Sequence, residues 1–383
     1  MKILILTCNT GEGHNSTSRA IKEEAERRLD TVDVWDALSF WPVGTNSFIC
    51  NGQEFLYKYL PELFGQGYRF AETVSEMENK RREQGKKIGQ GLYPFAKIPS
   101  EKMCAKILEE GFDVVLCAHI FASLMITEFK KHNSGYSIPT YLIATDYTCS
   151  PGANFSEIDG CFTPAEALED EFVSLGVRKE LIIPVGIPVR EDFYEKKSKS
   201  EAKELLGLPS DRRIVLLMSG SMGCGPIAKT VETIINTLPD DCMLVAVCGR
   251  NERLLAQLTE LSRSRRNLAP VGFTKEIPLY MDAAELVVTK AGGLSSTEAG
   301  VKNLPVVFID AIPGLEVHNR DFFVNHGYGR YGNSPEEISS HIVDLLSSPE
   351  ALEGMRKKMQ RDFFHHSARE ILDKVHGHEG PDA

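Results

Sequence analysis

The sequence predicts an α/β protein made of two open parallel sheets in tandem, and three observations carry that prediction. The chain has 383 residues, too many for one ordinary core and well suited to two domains. Short apolar runs alternate with helix-length patterns from end to end, which is how parallel sheets with crossover helices read in sequence. Between two such series lies Tyr194-Glu195-Lys196-Lys197-Ser198-Lys199-Ser200, polar, charged and without apolar periodicity, as a linker would be. The expected divisions are an N-terminal domain over 1–195, a second domain over 196–360, and a C-terminal helix and tail over 361–383 that crosses back to the first.

In the first half the strand candidates are Ile3–Leu6, Val32–Trp35, Val114–Cys117, Thr140–Ala144 and Leu181–Ile183. Ala20, Ile21, Ala25 and Leu29 recur at helical spacing and predict a helix over Ser18–Leu29. In the second half the candidates are Ile214–Met218, Met243–Cys248, Leu286–Thr289 and Val306–Ile309, again with helices between. From Phe40 to about Lys106 the alternation stops. Trp41, Phe48, Phe55, Tyr57, Tyr59, Phe64, Tyr68 and Phe70 come first, then Lys80, Arg81, Arg82, Lys86, Lys87, Lys97, Lys102 and Lys106. The stretch holds ten Lys/Arg against seven Glu in a chain of net charge −11. A helical insertion over about 40–106 is expected. Aromatics seated at a bilayer boundary with lysines toward anionic head groups would explain it, as would a helical subdomain with a solvated basic face.

The totals exclude several classes. Hydrophobic residues at 42% and charged residues at 25% are ordinary for a soluble globular chain. No apolar run reaches the ~18 residues of a membrane-spanning helix, and Met1–Thr7 reads as a first strand, not a signal peptide. Nine scattered cysteines without a C-x-x-C pair suggest reduced thiols in cytosol, with neither a disulfide framework nor a zinc site. The acidic balance argues against nucleic acid as a partner.

Four segments carry chemistry. Cys8-Asn9-Thr10-Gly11-Glu12-Gly13-His14-Asn15-Ser16 joins a strand to a helix. Gly11 and Gly13 let the backbone turn and approach a ligand, and His14 has the unperturbed pKa of a general base. A Gly-rich turn with a capping histidine fits the same spacing. Ser219-Gly220-Ser221-Met222-Gly223-Cys224-Gly225-Pro226 repeats the strand–glycine–helix theme, with Pro226 suited to a first turn. Thr289-Lys290-Ala291-Gly292-Gly293-Leu294-Ser295-Ser296-Thr297-Glu298 opens another helix, whose N–H groups and dipole can neutralise a pyrophosphate without metal. There Glu298 is near enough to accept from a ribose diol, or it merely complements the helix N-terminus. In Ile312-Pro313-Gly314-Leu315-Glu316-Val317-His318-Asn319, Glu316 and Asn319 share a helical face suited to sugar hydroxyls, or to a cap.

These segments, with Val271-Gly272-Phe273-Thr274, Thr145-Asp146 and Gly186-Ile187-Pro188-Val189, make the chain resemble one family of glycosyltransferases from Met1 to about Arg361. It contains monogalactosyldiacylglycerol synthase and the processive diacylglycerol glucosyltransferase, and is related to the lipid-II N-acetylglucosaminyltransferase. The run Lys290-Ala291-Gly292-Gly293 with Glu298, then Pro313-Gly314-x-Glu316-x-x-Asn319, carries most of the likeness. The resemblance implies a GT-B fold, two Rossmann-like domains facing a cleft. It implies uracil near Phe273 and Thr274, ribose near Glu298, pyrophosphate on Gly293 to Ser295 through Leu294, and donor sugar at Glu316 and Asn319. Gly11, Gly13, Gly220, Ser221, Met222, Gly223, Arg250, Lys290, Gly292 and Gly314 complete the expected donor-binding set. His14 matches the family's cleft histidine. After Asp146 the chain departs: Tyr147-Thr148-Cys149-Ser150-Pro151-Gly152-Ala153-Asn154 lacks the family's His and Trp on the acceptor side.

The implied reaction is one in-line, inverting displacement that moves a hexose from UDP-glucose or UDP-galactose to a lipid hydroxyl, that of diacylglycerol. His14 is the first candidate base and Asp146 the second. No D-x-D carboxylate pair is placed for a divalent ion, so neither metal nor cofactor is expected. The enzyme would sit at the inner, cytoplasmic face of an anionic membrane. A transferase with a soluble acceptor, a UDP-sugar 2-epimerase and a non-catalytic nucleotide-sugar sensor are the rival readings.

Overall fold

The computed structural model describes residues 1–9, 12–42, 61–84, 97–218, 227–309, 314–363 and 365–377. The chain packs as two compact units. One comprises Met1–Arg190, Pro313–Leu315 and His365 onward; the other comprises Glu191–Ile312 and Glu316–Phe364.

The first unit is a six-stranded, all-parallel sheet in the order β2-β1-β3-β4-β5-β6. Its strands are β1 (Lys2–Thr7), β2 (Thr31–Asp36), β3 (Val114–Cys117), β4 (Thr140–Ile143), β5 (Gly160–Thr163) and β6 (Ile182–Pro184). The helices are α1 (Glu12–Arg27), α2 (Pro61–Glu83), α3 (Lys97–Glu110), α4 (Ile120–Lys130) and α5 (Glu169–Ser174). β1 and β3 read as unbroken apolar runs because helices cover both faces of the sheet. Among the described residues, 40–106 hold helix and no strand. β5 has no counterpart among the expected strands; its Gly-Cys-Phe-Thr is too short and mixed to register as one.

α1 departs from the expected Ser18–Leu29. It starts at Glu12, with an acidic residue in the first turn that suits the helix dipole, and ends at Arg27. Leu29 lies beyond it, 92% exposed, in the left-handed region at φ 65°. Gly13 and His14 are therefore helical. Residues 12–17 carry no apolar side chain, so apolar spacing did not reveal that turn.

The second unit is also six-stranded and all parallel, in the order β12-β11-β10-β7-β8-β9. Its strands are β7 (Arg213–Met218), β8 (Cys242–Val247), β9 (Leu268–Val271), β10 (Ala284–Thr289), β11 (Val306–Phe308) and β12 (Gly329–Tyr331). The helices between are α6 (Lys199–Leu205), α7 (Ile227–Thr237), α8 (Glu252–Ser262), α9 (Ile277–Ala283), α10 (Gly293–Val301), α11 (Leu315–His326), α12 (Pro335–Ser347) and α13 (Pro349–Asp362). β9 and β12 were not foreseen. Both are edge strands, where Pro270 and Gly329 are tolerated and the apolar signal is weak. The stretch 194–200 is fastened to this unit. Lys302, 1% exposed, pairs with Asp282 at 2.8 Å and also donates to the Glu195 carbonyl, while Asp282 accepts the Lys197 N–H.

The last helix among the described residues is α14 (Ser367–Val375), which packs on α1 in the first unit. Ile371 and Leu372 are fully buried with Ile3, Ile21, Ala25 and Val32. Arg28 bonds Asp373 at 2.6 Å and the Arg369 carbonyl at 3.2 Å. α14 is part of the core, so Leu372→Ala should destabilise the protein by about 2–5 kcal/mol, read by denaturant unfolding. A cost below about 0.5 kcal/mol, as at surface sites, would contradict this packing.

Candidate active site

In open parallel sheets, loops at the carboxyl ends of the strands collect where the strand order reverses. In the first sheet this is the β1/β3 neighbourhood, and three segments meet there. α1 brings His14, the chain after β3 brings Ala118 and His119, and the chain after β4 brings Thr145 and Asp146.

His14 Nδ1 lies 2.9 Å from the Ala118 carbonyl oxygen, an acceptor only, so Nδ1 carries the proton and donates it there. The Thr145 hydroxyl is 3.1 Å from the same nitrogen and donates a long bond of 3.5 Å to Asp146 Oδ2. In the neutral ring, Nε2 is then left with its lone pair. His119 takes the opposite tautomer: its Nδ1 accepts the Phe121 N–H at 3.1 Å and caps α4, leaving the proton on Nε2. The two rings meet edge to face, 4.6 Å between centroids. Burial pushes both imidazoles below the ordinary histidine value. The Ala118 carbonyl partly opposes this for His14, and the neighbouring His14 lowers His119 further. A Cβ on Gly13 would meet no atom within 4 Å, so the surface beside His14 is open.

The second sheet reverses at β7/β10. After β10, Gly292 caps α10 without any side-chain bond, which leaves the first-turn N–H groups without a side-chain acceptor. A Cβ on Gly292 would also meet nothing within 4 Å. The Ser296 hydroxyl is buried with no hydrogen-bond partner among the described residues. After β8 and β9, at the same sheet edge, Arg250 lies over the Phe273 ring at 5.3 Å, and Phe273 is 62% exposed.

Comparison with known proteins fits both halves. Residues 14–189 match the family model described as monogalactosyldiacylglycerol (MGDG) synthase. Residues 214–373 match the glycosyltransferase family 28 C-terminal domain. The chain is a glycosyltransferase, and it resembles the monogalactosyldiacylglycerol synthases and processive diacylglycerol glucosyltransferases over nearly its whole length. It is 26% identical over 379 residues to the processive diacylglycerol beta-glucosyltransferase of Bacillus pumilus, covering 98% of this chain and 94% of that one. The chloroplastic monogalactosyldiacylglycerol synthase of Spinacia oleracea is 26% identical over 362 residues, 89% of this chain and 65% of that one. Among solved structures, Acinetobacter baumannii MurG matches with TM-score 0.62 at 13% identity, over 98% of this chain and 99% of MurG. That likeness is one of fold, GT-B.

In this glycosyltransferase the expected site residues fall into three groups. Gly13, His14 and Asp146 stand at the carboxyl edge of the first sheet, and Arg250, Phe273, Thr274, Lys290, Gly292, Gly293, Leu294 and Ser295 at that of the second; Glu298 is one turn into α10. Gly11, Gly220, Ser221, Met222 and Gly223 lie outside the described residues. The third group lies at the start of α11. Asn319, expected to grip sugar hydroxyls beside Glu316, is fully buried and donates to the Ala291 carbonyl at 3.0 Å. That bond fastens the turn before α10. Gly314, at φ 98°, has the Tyr68 ring 3.0 Å from where a Cβ would be. Burial, then the charge of Asp146, holds the Tyr68 phenol well above its ordinary value.

Sequence reasoning missed His119. Its place directly after a strand that pairs with β1 was the available signal. Of the aromatic and basic stretch, residues 43–60 and 85–96 lie outside the described residues. Phe70, Met77 and Ile98 are exposed at 63%, 51% and 63%, and Lys106 lies over the Trp35 ring at 4.5 Å. No described helix is long and apolar enough to cross a membrane.

The His14 geometry makes a direct prediction. Its ring should titrate below ~6.5 and carry its neutral-state proton on Nδ1, as read from long-range ¹H–¹⁵N spectra. A value at or above the ordinary one, or an Nε2–H tautomer, would contradict it.

Proposed function

We propose that this glycosyltransferase moves a hexose from UDP-glucose or UDP-galactose to the free hydroxyl of diacylglycerol, at the anionic inner face of a membrane. The observation that carries the reading is the near full-length likeness to relatives named processive diacylglycerol glucosyltransferase.

The chemistry is a single displacement. The acceptor oxygen forms a bond to the anomeric carbon as the bond to the β-phosphate oxygen breaks, and the electron pair leaves with UDP. One displacement inverts the anomeric centre. His14 Nε2 takes the acceptor proton, a role supported by its fixed tautomer and lowered pKa. Thr145 and Asp146 orient the ring through Nδ1. The developing diphosphate charge meets the uncapped α10 N-terminus from Gly292 through Ser295, with Lys290 beside it, an arrangement set before reaction begins. Arg250 and Phe273 form the shelf for uracil, with Thr274 adjacent; Glu298 takes the ribose diol and Glu316 the donor sugar. Fixed backbone dipoles do this work without a divalent ion.

The exposed Phe70, Met77 and Ile98, with Lys80, Arg81, Lys97 and Lys102 nearby in sequence, suit an anionic lipid surface.

One assay tests the reading. The protein is incubated with UDP-glucose, UDP-galactose or UDP-N-acetylglucosamine and diacylglycerol in neutral or anionic vesicles, with and without EDTA, and products are read by mass. Hexosyl-diacylglycerol should form from one of the first two donors, faster on anionic vesicles and unaffected by EDTA. Conversion of UDP-sugar without acceptor would make the protein an epimerase. Transfer confined to soluble acceptors, or indifference to lipid charge, would remove the membrane from the account.

A further inference from the structure

α2 presents Phe70 and Met77 outward, while its opposite side buries Ser75 (3% exposed) and Asn79 (8%). Buried serine and asparagine side chains need partners, and specific hydrogen bonds from these two fix the helix in place. The Ser75 hydroxyl accepts the Gly152 N–H at 3.1 Å, and the Ser75 carbonyl accepts Asn154 Nδ2 at 3.3 Å. Asn79 donates to the Ser174 carbonyl at 3.1 Å. Gly176, at φ 94°, keeps that turn free for it, since a Cβ there would lie 2.4 Å from Asn79 Oδ1.

Gly152 closes the segment that begins with Thr145 and Asp146. The middle of that segment is buried at Tyr147, Thr148 and Cys149. It is fixed from α5, where Glu171 Oε1 accepts from the Thr148 hydroxyl at 2.6 Å and the Cys149 N–H at 3.0 Å. The segment thus has one end at His14, through the Thr145 hydroxyl, and the other at Ser75.

We propose that Ser75 is a positioning residue for the acceptor step. Its hydroxyl anchors the far end of 145–152, and through it the Thr145–Asp146 pair beside His14. The seating of α2 thereby governs how the acceptor hydroxyl is presented, and leaves donor binding alone. This rests on the assignment of His14 and Asp146 to the acceptor reaction. Without the Ser75 hydroxyl, Gly152 loses its acceptor and the segment loses one of the fastenings at its far end.

The test compares Ser75→Ala with Ser75→Thr, which keeps the hydroxyl. UDP affinity is measured by calorimetry, and transfer to diacylglycerol by initial rates at varied donor and varied acceptor. Ser75→Ala should lower kcat/KM for the acceptor about 10- to 100-fold, with UDP affinity and donor KM unchanged and Ser75→Thr recovering most of the loss. Unchanged transfer in Ser75→Ala would overturn the proposal. So would a parallel loss of UDP affinity and transfer, which marks general destabilisation. If Ser75→Ala does not fold, Glu171→Ala, which removes the acceptor of the Thr148 hydroxyl and the Cys149 N–H, addresses the same segment from α5 and must show the same selective loss; intact transfer there overturns the proposal equally. Silence of the unaltered protein in the transfer assay would instead sink the reaction assignment, and needs no variant to be seen.

Discussion

The Ala118 carbonyl oxygen, 2.9 Å from His14 Nδ1, is an acceptor with no proton to give, and the tautomer of His14 follows from it. With Nδ1–H engaged, the neutral ring's lone pair is at Nε2, and burial keeps the ring neutral below the usual histidine range. Because Ala118 sits at the end of β3, the tautomer depends on β3 pairing directly with β1, so that the chain after one strand faces the helix after the other. The sheet order, not the local sequence, makes a proton acceptor out of a helical histidine.

In the proposed reaction the second unit meets a different demand, that of stabilising charge on a leaving group. α10 begins at a glycine that offers no side-chain cap, where a serine or aspartate would have occupied its N–H groups. The turn before it is held from behind by buried Asn319 on the Ala291 carbonyl. For the proposed diphosphate site an open helix N-terminus is useful only if rigid, and the Asn319 bond to Ala291 contributes that rigidity. The buried Lys302–Asp282 pair holds the entering chain against the same unit. Removing either partner would leave an uncompensated buried charge.

Much of this was legible in sequence, for physical reasons. Buried parallel strands such as β1, β3, β7 and β10 are continuous apolar runs and announce themselves. β5, β9 and β12 are short, carry Gly or Pro, and in two cases lie at sheet edges, so composition gave no sign of them. His14 was visible through Gly11 and Gly13, but its helical setting was not, because its turn of α1 carries no apolar side chain. His119, Ser75 and Glu171 act through partners 105, 77 and 22 residues away in the chain, from His14, Gly152 and Cys149, and local pattern has no access to such contacts. For Asn319 the spacing identified a helical face correctly, but could not say whether that face looked outward or into the core.

The most direct measurement of the central claim is single-turnover transfer by His14→Gln, which keeps polar atoms and removes the titrating ring, set beside its UDP affinity. Loss of a positioned general base predicts a rate lower by about 10²- to 10⁴-fold with UDP binding unchanged. A variant that transfers at the unaltered rate, or that loses UDP binding in proportion to its rate, would contradict the assignment of His14 as proton acceptor.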